Sequence, residues 1–189
     1  MGARLPQVVR LRHVTADRFP TLLGTLLGIY TAAMRPPPGQ LAVRPYIMRD
    51  HGSRPGFVCL LAEAPQVVGF AYGFHGAPGE WWYDVVWRGL RDHAGEETCA
   101  EWLGDALEIA EIHVLPGHQG RGIGRRLLHA ICAGRPERTA VLSTRDAPTA
   151  ARHLYRDAGF VDLLPRFRFP GTAEPYVIAG ARLPLTGAG

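Results

Sequence analysis

The sequence predicts an α/β domain, and three observations carry that prediction. A strand pattern beginning at Glu108 breaks at Pro116 and Gly117, passes through a glycine-rich loop and opens an amphipathic helix; a second apolar strand follows at Thr139 to Thr144. Strand, loop, helix and strand at this spacing make a parallel pair joined by a right-handed crossover. Upstream, Phe57 to Glu63 and Val67 to Phe74 flank the turn Ala64-Pro65-Gln66 and read as a hairpin of short apolar strands. Helical periodicity marks the segments around residues 15–33 and 148–159. At 189 residues the chain suits one domain with a sizeable core, and no composition shift or internal repeat divides it.

Each element follows in order. Gln7 to His13 alternates, with Val9, Leu11 and His13 on one side, and reads as a first strand. Thr15 is placed to cap a helix reaching about Ala33, whose apolar positions are Phe19, Leu22, Leu23, Leu26, Leu27, Tyr30 and Ala33. Arg35-Pro36-Pro37-Pro38-Gly39 stops it, and Leu41 to Asp50 forms a short second helix despite Pro45. The segment 77–105 is an insertion holding all four tryptophans, Trp81, Trp82, Trp87 and Trp102, with Glu80 to about Asp92 helical and Trp82, Val85, Val86 and Leu90 on one face. Ile123, Leu127 and Ile131 recur along the helix after the glycine loop, closed by Gly134 and Pro136. Ala151, Leu154, Tyr155 and Ala158 share a face of the last helix, with Gly159 as its C-terminal cap. Phe160 to Leu163 and Tyr176 to Leu183 read as closing strands, joined by a loop from Pro165 to Pro175.

Composition narrows the function. The net charge is +4, but the arginines are scattered and no basic run of five or more exists, so a nucleic-acid partner is not expected. An anionic cofactor accounts for a mild positive bias. Cys59, Cys99 and Cys132 are far apart with no metal or redox spacing, which points to free thiols, a reducing cytoplasm and no metal. Phe19 to Met34 is too short and too broken by Pro20, Gly24 and Gly28 to span a membrane, and Met1-Gly2 lacks the hydroxyl residue at position 6 that myristoylation needs.

The loop Gln119-Gly120-Arg121-Gly122-Ile123-Gly124 carries the chemistry. Glycine lets the backbone turn sharply and a ligand approach closely. The helix that follows presents free N–H groups and the positive end of its dipole, an anion site suited to a phosphate or pyrophosphate. Arg121, Arg125 and Arg126 add positive charge in the same turn. The loop lacks the Gly-Lys-Ser/Thr ending of a nucleotide P-loop, and glycines at 120, 122 and 124 do not have dinucleotide-fold spacing.

Val114-Leu115-Pro116, then Gln119 to Gly124, then Leu127-Leu128 resembles motif A of the GNAT acetyltransferase superfamily, and Ala151-Arg152-His153-Leu154-Tyr155 followed by Gly159-Phe160 resembles its motif B. The resemblance is motif-specific from Glu108 to Phe160. It implies one GNAT domain over 1–189: a mixed, mostly antiparallel sheet of about six to seven strands, with a parallel pair splayed at the cofactor site and helices on both faces. It implies acetyl-coenzyme A as cofactor, with its pyrophosphate on the backbone of Gln119, Gly120, Arg121, Gly122, Ile123, Gly124 and Arg125 and its pantetheine arm along the backbone of Ile112, His113 and Val114. Many relatives carry an asparagine where this chain has Pro148, so Ser143 or Thr144 is the expected partial replacement.

Acetyl transfer from a thioester to an amine needs a neutral amine, a polarised carbonyl and a proton for the departing thiolate. An alkylamine has a pKa near ~10.4, so a base must take its proton. The thiolate leaves more readily, with a thiol pKa of roughly 8.5. Tyr155 matches the family tyrosine that protonates that thiolate. Glu108 and Glu111 compete for the base, with Glu108 matching the family glutamate; strict alternation puts Glu111 and His113 on one face. The acceptor is a primary amine on a small molecule or peptide, and Tyr30, Trp81 and Trp82 are its expected contacts. The insertion has a dimer contact as its other use. A non-catalytic acyl-coenzyme A sensor is the alternative function.

Overall fold

A computed structural model describes residues 8–186. The strands are β1 (Arg10–Val14), β2 (Val58–Ala64), β3 (Gln66–His75), β4 (Ala106–Val114), β5 (Thr139–Arg145), β6 (Val161–Phe167) and β7 (Tyr176–Arg182). The α-helices among the described residues are α1 (Phe19–Met34), α2 (Pro38–His51), α3 (Trp81–Ala94), α4 (Glu96–Leu103), α5 (Ile123–Cys132) and α6 (Ala150–Asp157). The strands form one seven-stranded sheet in the order β1-β2-β3-β4-β5-β7-β6. Its parallel pair is β4–β5, as the strand–helix–strand spacing predicted, while β1–β2, β2–β3, β5–β7 and β6–β7 run antiparallel. The chain divides into two compact units, Met1–Gly73 with Glu111–Ile131 and Phe74–Ala110 with Cys132–Gly189.

In the first unit, α1 buries Phe19, Leu23, Leu26, Ile29 and Tyr30. Phe19 packs edge-on against Phe57 at 4.7 Å and Tyr72 at 5.3 Å. Thr15 does not cap α1: its carbonyl accepts from Arg18 and Phe19, so it opens a turn, and Arg18 takes the cap position without a side-chain bond. Pro20 fits the first helical turn, where its missing N–H costs nothing. α2 begins earlier than the periodicity suggested, because Pro38 is likewise suited to a first turn, and it continues through Pro45. The expected start of β1 at Gln7 lies outside the described residues. The hairpin is tighter than expected: Ala64 pairs with Gln66, so Pro65 alone makes the turn.

In the second unit, the insertion folds as α3 and α4, broken at Gly95, whose φ of 88° suits glycine. Four tryptophans are too much apolar surface to leave in water, so the sequence predicts an ordered, partly helical insertion on the sheet edge near the start of the fourth strand; the edge position is corrected. Tyr83, Val86, Leu90, Cys99 and Leu103 share a core with Ala106, Val141, Leu164 and Ile178, so the helix pair lies across β5, β7 and β6 as well as the start of β4. The aromatic and aliphatic surface of two short helices is too wide for an edge to cover. Close approach is allowed by Gly89, where a Cβ would stand 2.5 Å from Phe167 Cε2. β6 runs further than expected, through Pro165; it is the edge strand, where a missing N–H is tolerated, and its register slips around that residue.

Candidate active site

The glycine loop sits in the first unit. Past Val114 the chain makes a short 3-10 turn at Pro116–His118, and the Gln119 side-chain amide folds back to donate to the Val114 carbonyl at 2.9 Å. Gly120 and Gly122 hold φ values of 72° and 76°, a conformation that any side chain would strain. A Cβ at either would meet nothing within 4 Å, so the space beside both is open. α5 starts at once, with the Arg126 amide donating to the Gly122 carbonyl at 3.0 Å. Ile123, Leu127, Leu128 and Ile131 are buried, which fixes the helix and aims its first amides at the loop. Arg121 and Arg125 are exposed; the Arg126 guanidinium donates to the Val9 carbonyl at 2.9 Å and is committed to the fold. Ile112 and His113 are half-buried and Val114 is buried.

The two glutamates of β4 occupy different surroundings. Glu108 lies in the second unit, 4% exposed, at the last residue of the β4–β5 ladder. The ladder stops at Glu108↔Val141, although β5 runs on to Arg145, so the parallel strands part where this carboxylate stands. Gly76 leaves it room: a Cβ there would lie 3.6 Å from Glu108 Oε2 and from Tyr83 Cδ2. Glu111 lies in the first unit within a buried network. Arg44 Nη1 donates to Glu111 Oε1 at 3.0 Å and Arg44 Nη2 to the Tyr30 hydroxyl at 2.9 Å, while Glu111 Oε2 is in short contact with His113 Nε2. The Arg44 guanidinium lies 4.7 Å from the centre of the Tyr30 ring, and the Tyr30 and His113 rings meet edge-on at 5.3 Å. Burial would raise the Glu111 carboxyl, but the His113 hydrogen bond and the Arg44 charge outweigh it and hold it below the ordinary range. Nearby His51 bonds the Tyr72 hydroxyl at 3.1 Å, and burial pushes its imidazole down to about 4.

The remaining candidates belong to the second unit. Tyr155 is half-buried on α6, its ring 5.8 Å from Phe160. α6 is capped by the Thr149 hydroxyl, which accepts from the Arg152 amide at 3.2 Å. Arg152 is buried and clamps the helix to β6 through both Asp162 oxygens, at 2.5 and 3.0 Å, and to Asp146 at 3.3 Å. Ser143 is not an isolated hydroxyl: it accepts from Trp82 Nε1 at 3.2 Å, tying the insertion to β5. Trp81 is 59% exposed and stacks on Phe169 at 5.7 Å. Tyr30 is 3% exposed and is placed with Arg44 rather than at a surface. The roles of Arg44 and Arg152 escaped the sequence reading, since each arginine meets its carboxylates only after folding.

All three cysteines are buried and free, and burial pushes the Cys59 and Cys132 thiols up to about 12, so neither is a nucleophile at neutral pH. Among the described residues, no group of metal-binding side chains occurs and no helix is long and apolar enough to cross a membrane.

The chain is similar to known proteins in sequence and in fold. Residues 55–162 match the family described as acetyltransferase (GNAT) domain. A GCN5-like protein acetyltransferase of Mycobacterium tuberculosis is 33% identical over 191 residues, covering 86% of this chain and 92% of that protein. The ribosomal-protein-S18-alanine N-acetyltransferase of Escherichia coli has the same fold, with a TM-score of 0.65 at 17% identity, over 96% of this chain and 97% of its own. So does an N-acetyltransferase of Thermoplasma acidophilum in complex with coenzyme A, with a TM-score of 0.58 at 12% identity, over 93% and 99%.

Proposed function

The chain belongs to the GNAT acetyltransferase family, and from that membership we propose that it transfers the acetyl group of acetyl-coenzyme A to a primary amine of a peptide or protein. The observation that carries the proposal is the loop at the start of α5, where Gly120 and Gly122 adopt positive φ beside open space. These residues fit a pyrophosphate: bare backbone donors, a helix N-terminus and two exposed arginines, Arg121 and Arg125. Acetyl-coenzyme A supplies the activated thioester.

In this reading the amides of Gly120 to Arg125 hold the pyrophosphate, and the β4 backbone at Ile112, His113 and Val114 lines the pantetheine arm. Gln119 contributes by ordering the turn through its bond to Val114. Tyr155 gives a proton to the departing thiolate. Glu108 takes a proton from the attacking amine; it is the carboxylate at the parting of β4 and β5. Glu111 is a poor proton acceptor here, since Arg44 and His113 stabilise its charged form. The open Trp81 ring is a contact for the acceptor chain, and Ser143 acts by fixing Trp82. A peptide or protein acceptor is favoured over a small amine by the name of the 33% identical relative, a protein acetyltransferase.

The test is acceptor-dependent release of coenzyme A thiol, measured with lysine-bearing peptides, peptides with a free N-terminus, and controls with both amines blocked. Thiol release with the free-amine peptides and none with the blocked ones is expected. Acetyl-coenzyme A binding without acceptor-dependent release from any peptide overturns transfer in favour of a sensor.

A further inference from the structure

We propose that the acceptor amine is the free N-terminus of a peptide or protein whose first side chain is large and apolar, and that a cleft on α3 beside Glu108 receives that side chain. The inference rests on the acetyl-transfer reading and names the acceptor class for it. All the residues concerned lie in the second unit.

α3 and the turn before it frame an open cleft of about 270 Å³, lined by Pro78, Tyr83, Asp84, Trp87 and Arg88. Pockets for whole drug-sized ligands begin at roughly 300 Å³, so this one suits a single side chain. Its apolar walls are rings. Tyr83 and Trp87 stand one helical turn apart and stack at 5.6 Å, and Pro78 lies in the turn that precedes the helix. Asp84 Oδ1 accepts from the Gly79 amide at 3.0 Å and so fixes that turn. Rings held in this way offer a flat apolar contact at little cost in order.

The cleft adjoins the carboxylate that takes the amine proton. A Cβ at Gly76 would lie 3.6 Å from Tyr83 Cδ2 and 3.6 Å from Glu108 Oε2, so those two atoms are no more than twice that distance apart. Glycine leaves the space between them unfilled. A base works within about 3 Å of the nitrogen it serves, or through one water. An amine held at Glu108 is therefore close enough to Tyr83 for a side chain on the same α-carbon to span the gap.

The polar groups at the cleft distinguish an N-terminus from a lysine. The first residue of a peptide carries its amine, its side chain and a carbonyl acceptor on one α-carbon. The matching groups here are the carboxylates of Asp84 and Glu108, the ring walls, and the guanidinium of Arg88, which is exposed and has no partner among the described residues. A lysine amine ends a flexible four-carbon stem with neither a branch nor an acceptor beside it, so it would leave the rings and Arg88 unused. Trp81 shares a face of α3 with Asp84 and Arg88, and its exposed ring continues the path for the residues that follow.

The test measures kcat/KM for thiol release on lysine-free peptides identical except for a first residue of Phe, Leu or Ala, and on an N-terminally blocked peptide with one internal lysine. The Phe-first and Leu-first peptides should exceed the Ala-first one by about 10-fold or more, and the lysine peptide should be the poorest. Trp87→Ala removes a wall of the cleft. It should shrink the preference for Phe over Ala to about threefold or less, with the KM for acetyl-coenzyme A unchanged. Trp87 also packs on the core, so should that variant fail to fold, Arg88→Ala decides the matter. Its kcat/KM on the N-terminal peptides should fall about 10-fold, the usual worth of one charged hydrogen bond, and no loss overturns the proposal. Equal rates whatever the first residue, a Phe preference that survives in Trp87→Ala, or turnover of the lysine peptide alone each overturns the proposal while acetyl transfer stands. No thiol release from any peptide overturns the acetyl-transfer reading itself, and the proposal with it.

Discussion

Tyr155 packs beside Phe160, and its ring would keep that contact without its hydroxyl. Tyr155→Phe should therefore leave acetyl-coenzyme A affinity and melting temperature nearly unchanged while turnover falls roughly 10- to 10³-fold. Turnover at the wild-type rate would return the residue to a packing role. Arg44 makes the opposite kind of prediction, one read in stability. Its partner Glu111 has a folded-state pKa below the unfolded one, so the pair stabilises the protein above the unfolded carboxyl value of about 4.3, and that contribution is lost as pH falls through the folded value. Arg44→Leu strands a buried carboxylate. The cost should be roughly 2–3 kcal/mol at pH 7, below the figure for a fully buried pair because the Arg44 side chain is 25% exposed. Urea unfolding at a series of pH values should show the gap to wild type closing below about pH 4.

The insertion separates packing from binding within a single helix. Trp82 and Trp81 are adjacent on α3, yet Trp82 is half-buried and bonded to Ser143 while Trp81 is exposed on Phe169. Trp82→Ala should lower the melting temperature, at a cost of about 3 kcal/mol, by opening a cavity and stranding the serine. Trp81→Ala should leave the melting temperature almost unchanged and raise the acceptor KM, with acetyl-coenzyme A affinity intact. If Trp81→Ala leaves the acceptor KM as it was, the ring has no part in acceptor binding. α6 illustrates positioning by an element: the Thr149 cap and the Arg152 clamp onto Asp162 and Asp146 hold the helix that presents Tyr155.

For the whole molecule, ligand binding to the folded state alone must raise stability by mass action. Acetyl-coenzyme A at about 100 times its Kd should add roughly 2.7 kcal/mol, or a rise of about 5–10 °C in Tm for a chain of this length. Gly122→Val, which places a branched side chain at a φ of 76° and fills the open space beside the loop, should fold but lose that rise. A Gly122→Val protein stabilised as strongly as wild type would show that the ligand binds elsewhere. The thermal rise taken together with thiol release separates transfer from mere binding, since a sensor would show the thermal rise without acceptor-dependent thiol release.

The sequence by itself determined what depends on neighbours along the chain. Glycines at 120 and 122 foretold the positive φ, Ile123, Leu127 and Ile131 foretold the buried stripe of α5, and the strand–loop–helix–strand spacing foretold the β4–β5 pair. The alternation of β4 put Glu111 and His113 on one face, where they meet. Only the tertiary structure decided what depends on distant partners. Arg44 finds Glu111 67 residues away, and Trp82 finds Ser143 61 residues away. The insertion's course across β5, β7 and β6, and the edge position that lets β6 run through Pro165, were likewise settled by packing. Local periodicity fixes which face of an element is apolar, but nothing in it says which distant charge or sheet face will meet that element; long-range burial and electrostatics make that choice.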